Sequence, residues 1–356
     1  MKTRRDFLSE SCAAAVGLGV APFAGVCSGS GPPARAEAEA GASGAAAAPG
    51  KAASGRAERR DEIGPRVVRR DDAKVFGGGG HDAGRVAGVV NRSLASLLDV
   101  KDTSEAFRAL FDPDEVVCIK VNCLAGPGMS SSPAVVDALV AGLNRIGVSN
   151  DRIWIWERTT RELKRAGFEP NRYSDSRPRC AGNDDLGFER EIRFSGEVGS
   201  LWSNVLARRA DALINVPVLK DHDLAGVGCG MKNMYGAIHN PNRYHDDNCD
   251  PFVADVSDHE YVEGKLRLVL CDALTAQYHG GPARVLEHQW RPGAVLAAAD
   301  PVALDSVAYE MIDSQRAAHG MRSLAEDKRE PRWLETAVEK GLGTADSEKI
   351  ERDGFG

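Results

Sequence analysis

The sequence predicts an α/β domain built on a mostly parallel sheet with helices on both faces, and three observations carry that reading. Short apolar runs recur along the chain, segments with helical spacing of apolar residues separate them, and capping residues mark where those helices begin. Strands that alternate with helices imply parallel pairing, which buries both faces of the sheet. A long loop rich in glycine and histidine, residues 223–250, is expected at the carboxyl ends of the strands.

The first 36 residues read as an export address. Arg4 and Arg5 precede Phe7 and Leu8, and a mildly apolar stretch over 12–26 leads to Ala34-Arg35-Ala36, the pattern of a twin-arginine signal peptide cleaved after Ala36. The rival, lipidation at Cys27, lacks the usual Leu and puts Val26 beside the cysteine. The twin-arginine translocase is then the partner during export, and the expected location is periplasmic or otherwise extracytoplasmic. Replacing Arg4 and Arg5 together by Lys should hold the precursor in the cytoplasm; periplasmic accumulation equal to the wild type on fractionation would remove this localisation. Residues 37–62 carry Ala, Gly and charged side chains without an apolar period, which predicts a flexible linker. A single domain is expected over 63–356. Near its start the stretch 58–72 is highly charged, and the run Gly77-Gly78-Gly79-Gly80 reads as a mobile loop or a close backbone approach.

Val86, Val89, Val90, Leu94 and Leu97 recur at helical spacing, and Val116-Val117-Cys118-Ile119-Lys120-Val121 reads as a buried strand. Ser132-Pro133 opens a helix whose apolar face carries Val135, Val136, Leu139 and Leu143. Ile153-Trp154-Ile155-Trp156 is the next strand and 201–209 a helix. Residues 213–219, 266–271 and 294–298 read as three more strands. Asp300-Pro301 caps a last helix that runs to Met311.

Composition narrows the function classes. With 42% hydrophobic residues the chain can bury a core. Its net charge is -7, and becomes -9 without the leader, which holds four of the 45 basic and two of the 52 acidic residues. An acidic chain without a basic stripe argues against nucleic acid as a partner. No apolar run reaches the roughly 20 residues that span a bilayer, so no stable membrane anchor is expected. Six cysteines lie beyond the leader without a Cys-x-x-Cys, which disfavours an iron–sulfur cluster. Cys118 and Cys271 sit in strand-like runs as core thiols. Cys123, Cys229 and Cys249 fall in loops, where a disulfide is possible and its pairing open.

Several motifs carry a family resemblance: Lys120-Val121-Asn122; Asn215-Val216-Pro217-Val218-Leu219-Lys220-Asp221-His222; Met231-Lys232-Asn233-Met234-Tyr235-Gly236-Ala237-Ile238-His239-Asn240-Pro241; Gly280-Gly281-Pro282; and Asp300-Pro301-Val302-Ala303-Leu304-Asp305. Over roughly residues 116–313 the chain resembles the family called domain of unknown function 362. The resemblance implies company with members that carry a twin-arginine leader. Other members are fused to a ferredoxin-like cluster domain, which this sequence lacks.

In a parallel α/β sheet, ligands gather at the carboxyl ends of the strands. Lys120 and Asn122 end one strand, Lys220, Asp221 and His222 another, and Asp272 a third. The loop 223–250 adds His239, His245, Lys232 and Asn233, and long polar insertions in compact domains are usually functional. His222, His239, His245 and Asp221 together supply donors suited to a transition metal, although any one histidine alone reads first as a satisfied surface or loop residue. Lys120, Asn122, Asn233 and Asp305, with the amides after Ser130-Ser131-Ser132, are the expected anion contacts. Lys220, His222 and Lys232 are the expected catalytic groups, a lysine holding the anion and a histidine serving as ligand or acid–base group. The rim formed by 220–222, Lys232, Asn233, His239 and His245 is expected to be exposed, so that His222→Ala, His239→Ala or Lys232→Ala changes stability by no more than about 1 kcal/mol. No Gly-x-Ser-x-Gly elbow, Walker loop or Gly-x-Gly-x-x-Gly dinucleotide fingerprint is present. The expectation is an exported protein that binds a metal or metal-containing cofactor and a small anionic ligand, an oxidoreductase or isomerase by chemistry. The alternative is a periplasmic ligand-binding or cofactor-delivery protein without turnover.

Overall fold

A computed structural model describes residues 62–77 and 80–355. The expected signal peptide, the linker up to residue 61, and Gly78 and Gly79 of the glycine run lie outside the described residues. The chain runs through β1 (Arg66–Asp71), α1 (Ala83–Leu97), α2 (Thr103–Leu110), β2 (Val117–Val121), α3 (Pro133–Arg145), β3 (Ile153–Glu157), α4 (Thr160–Arg165), β4 (Arg179–Gly182) and α5 (Asn204–Arg208). It continues through β5 (Ala212–Val216), β6 (Val218–His222), β7 (Gly226–Val227), α6 (Gly230–Asn233), α7 (Phe252–Asp258), β8 (Leu266–Gln277), β9 (Ala294–Ala298), α8 (Pro301–Ala318), α9 (Trp333–Glu339) and β10 (Glu351–Asp353).

The main sheet has the order β10-β1-β9-β8-β5-β2-β3-β4. Pairing is parallel from β8 through β4 and antiparallel where β9 meets β8 and β1. The architecture is the expected α/β sheet, mostly parallel at its centre. Because side chains alternate across a strand, Val117, Ile119 and Val121 enter one core with α1, α2 and α3, while Cys118 and Lys120 face the other. That second core holds α8, α9 and the segment after β6, and its Trp202 and Trp333 are fully buried. Among the described residues no helix is long and apolar enough to cross a membrane.

Several elements differ from their expected bounds for identifiable reasons. The run 213–219 divides at Pro217, which cannot donate to a ladder: β5 pairs with β2 and with the start of β8, while β6 pairs with β8 further along, from Asp272 to Gln277. The charged stretch at the start of the domain contains a strand: β1 buries only Val67 and Val68 and is held by its register against Ala297 and Ala298 of β9. β8 extends to Gln277, well past Cys271. Asp300 caps α8 as expected, accepting from the amides of Val302 and Ala303, and the helix continues past Met311 to Ala318.

The segment 223–250 corrects the expectation of a polar surface loop. It folds inward through β7, α6 and a 3-10 turn at Met234–Ala237, and buries Ala225, Val227, Cys229, Met231, Met234 and Ile238. Three consecutive non-glycine residues, Asp247, Asn248 and Cys249, take left-handed φ values of 47°, 57° and 65°. Such positions cost on the order of 1–3 kcal/mol each and persist where packing over-determines them. Here the turn carries Cys249 into the core.

Candidate functional site

Three lysines at strand or helix ends organise one cleft, and their environments differ. Lys120, near the end of β2, is aligned with Asn215 of β5 and Trp156 of β3, so all three side chains share one face. Its ammonium, fully buried, lies 3.1 Å from Glu157, donates to the Val121 carbonyl at 2.6 Å, and reaches Asn233 Oδ1 at 3.5 Å. Burial pushes the Glu157 carboxyl up and the Lys120 charge pulls it back. Gly236 makes this approach possible, since a Cβ there would stand 2.7 Å from Lys120 Cε.

A chain of amides links this pair to the second lysine. Asn233 Nδ2 donates to Asn215 Oδ1 at 2.7 Å, and Asn215 Nδ2 donates to the Gly230 carbonyl at 2.7 Å. Asn122 Nδ2 donates to Asn233 Oδ1 at 3.0 Å, and Asn122 Oδ1 accepts from Lys220 Nζ at 2.8 Å. Lys220, on β6, is 1% exposed, and Lys232, on α6, is 8% exposed. Among the described residues neither ammonium is ion-paired to a carboxylate; Lys232 Nζ lies 3.1 Å from His245 Nε2 and 3.7 Å from the centre of the Tyr235 ring. Burial lowers both lysines to about 8, partly offset at Lys220 by Glu157, Cys123 and Asp221 and at Lys232 by Cys249 and Asp223.

The histidines form the opposing wall. His222 Nδ1 accepts from the backbone amides of Leu224 and Ala225, both at 3.2 Å, which leaves the ring proton on Nε2. An Asp223 oxygen lies 3.1 Å from the same nitrogen, but two amide hydrogens aimed at it and burial, which takes the ring to about 4, keep the imidazole neutral. His245 stacks on His222 with centroids 5.7 Å apart, and burial, then the Lys232 charge, take it to about 4 as well. Lys220, His222, Lys232, Asn233 and His245 thus line one cleft of about 330 Å³ with Asn122.

The structure does not bring the remaining expected residues there. Asp221 alternates with Lys220 and His222 along β6, so it points away, fully buried, accepting from Gly281 N at 2.7 Å and Arg329 Nη2 at 2.6 Å. His239 is exposed and packs edge-on against Phe188 at 5.0 Å. Two of the four expected metal donors therefore reach the cleft, and among the described residues no three His, Cys, Asp or Glu groups are gathered as for a metal ion. Asp305 corrects an anion-contact expectation: its carboxylate, raised to about 7 by burial, caps α6 by accepting from Gly230 N at 2.7 Å and Met231 N at 2.8 Å. Lys120 belongs to the floor, spent on Glu157. Asp272 and Ser130–Ser132 turn to a separate cavity of about 590 Å³ with His81, Arg284 and Arg291, where Asp272 accepts from Ser132 N at 2.7 Å.

The expectation of an exposed rim is corrected too. His222 is 6% exposed, and removing its ring would strip the acceptor from the amide of Leu224 and the buried amide of Ala225, a loss of roughly 1–3 kcal/mol. Cys123, Cys229 and Cys249 are buried free thiols, and Cys229 Sγ lies 3.3 Å from Cys271 Sγ, a neighbour outside the expected trio. Sequence reasoning missed Glu157, Arg158, Tyr235 and Asn242 around the cleft. For Glu157 a signal was available, a charge closing the apolar strand Ile153–Glu157 just as Lys120 nearly closes its own.

A family model described as Domain of unknown function (DUF362) matches residues 117–310, which is more than half of the chain and includes every lining residue of the cleft. No curated protein matches the chain.

Proposed function

Since the chain belongs to the domain of unknown function 362 family, we propose its function from the chemistry of the cleft: an exported protein that binds a small anion between Lys220 and Lys232 and exchanges a proton with it through His245 or His222. The observation that carries this reading is a pair of buried ammonium groups opening on one cleft, neither of them ion-paired to a carboxylate among the described residues. A buried charge without a partner is costly, and a carboxylate or phosphate entering the cleft would supply the missing charge with charge-assisted hydrogen bonds. Lys120, matched by Glu157, has no such need. Amines whose proton affinities lie near working pH are also suited to general acid–base chemistry, and the neutral imidazoles beside them can accept a proton. As for metal, the cleft offers the rings of His222 and His245.

Sulfate keeps its charge across the useful pH range and is the probe of choice. An anion favours the protonated lysines, so its affinity should be full below about 8, where both lysines are charged, and fall as pH rises past that value. Titration calorimetry at pH 7 and pH 9.5 should show a loss of roughly tenfold or more. The charged and titratable groups that act on the lysines are Glu157, Cys123 and Lys120 at Lys220, with Asp221 acting from the far side of β6, and Cys249, Asp223, His245 and Lys220 at Lys232. The histidines, already neutral near pH 7, contribute no charge change over this interval. Equal affinity at both pH values, or no binding at pH 7, defeats the reading.

A further inference from the structure

We propose that the cleft takes a small oxo-carboxylate, that Lys220 holds its carboxylate, and that Lys232 captures its carbonyl carbon as an imine. The proposal rests on the anion reading above and adds to it a substrate class and a covalent step.

The two lysines are held differently. Lys220 Nζ is fixed by the amide oxygen of Asn122 at 2.8 Å, an arrangement that leaves its remaining hydrogens for a ligand and keeps it a donor. Lys232 Nζ instead has a nitrogen base within reach, His245 Nε2 at 3.1 Å, and rests on the Tyr235 ring. An amine attacks a carbonyl only after losing its proton, and His245 is the group placed to take it. Burial and the Lys232 charge lower the proton affinity of His245, and the backbone at Pro241 and Asn242 offsets part of that loss, so the ring can carry a proton only in passing. Burial and the neighbouring Lys220 charge depress the proton affinity of Lys232, which raises its free-amine fraction near neutrality, a recognised way of activating a lysine nucleophile. The cleft volume of about 330 Å³ suits a compound of a few carbons.

The step balances without an oxidant or reductant. The ammonium passes one proton to His245 Nε2, and the freed lone pair forms the C–N bond as the carbonyl π electrons move onto oxygen. His245 returns the proton to that oxygen, and a second proton leaves nitrogen for the resulting hydroxyl. The C–O bond then breaks and water departs. Ammonium plus carbonyl yields a protonated imine plus water, with charge conserved. The imine withdraws electrons from the adjacent carbon, and the stacked His222 and His245 stand beside it for proton transfer.

Glyoxylate, with sodium cyanoborohydride to reduce any imine, tests this on the whole protein, read by intact mass and peptide mapping. The expected result is one carboxymethyl adduct at Lys232, formed roughly tenfold or more faster than at any other lysine and slowed by sulfate. Lys232→Arg should lose that adduct, and Lys220→Met should slow it while leaving its position unchanged. Adducts spread over surface lysines, placed on Lys220, or missing from Lys232 in the wild-type protein overturn the imine proposal, and this outcome does not depend on any variant folding. If sulfate still binds in that case, the anion reading stands alone; if sulfate fails to bind, both fall.

Discussion

Replacing Lys120 by methionine should lower the free energy of unfolding by about 3–5 kcal/mol, because it strands a buried carboxylate. Glu157 is 4% exposed and Lys120 is its buried counter-charge at 3.1 Å; the substitution also takes a donor from Asn233 and from the Val121 carbonyl. The loss should be much smaller in the double variant Lys120→Met with Glu157→Met, since removing both partners leaves no uncompensated charge. Urea or guanidinium unfolding of the single and double variants measures the coupling. A single-variant loss below about 1 kcal/mol would show that the pair is wet and would detach Lys120 from the floor of the cleft.

Lys220→Met and Lys232→Met should behave oppositely, leaving the fold as stable or more stable at pH 7 while abolishing anion binding. Both lysines fall from 10.5 to about 8 on folding. At roughly 1.4 kcal/mol per unit that is a cost of order 3 kcal/mol each in the unliganded protein. Lost hydrogen bonds to Asn122 or His245 offset part of the gain, so about 1–2 kcal/mol is expected. A lysine depressed on folding carries its full penalty below pH 8, where both states are protonated. The unfolded chain holds the proton through the window from about 8 to 10.5, so wild-type stability rises with pH there and the advantage of the variants shrinks. Sulfate affinity should fall by roughly 30-fold or more in either variant, as when one partner of a buried charge contact is removed. Variants that are markedly less stable at pH 7 yet bind sulfate normally would make these lysines scaffolding.

Most of the fold was legible because its information is local. The runs at Val117–Val121, Ile153–Glu157 and Ala294–Ala298 are apolar on both faces, as strands of a covered sheet must be, and Asp300 and Pro301 announce their helix within a single turn. β1 was not legible, since Val67 and Val68 among charged residues say nothing until β9 supplies the ladder. The cleft divides in the same way. Residues near the carboxyl ends of β2 and β6 named Lys120, Asn122, Lys220 and His222, and alternation along β6 already implies that Asp221 faces the other way. Which of His239 and His245 returns to the cleft depends on the path of the segment after α6, and that path is set by burial of Met234, Ile238 and Cys249 rather than by any local signal. The role of each lysine was likewise undecided in the chain, because it depends on whether a carboxylate distant in sequence stands beside it. Glu157 lies 37 residues from Lys120 and meets it only because β2 and β3 pair in register, while among the described residues neither Lys220 nor Lys232 is ion-paired to a carboxylate, and a buried charge takes its chemistry from what surrounds it in space.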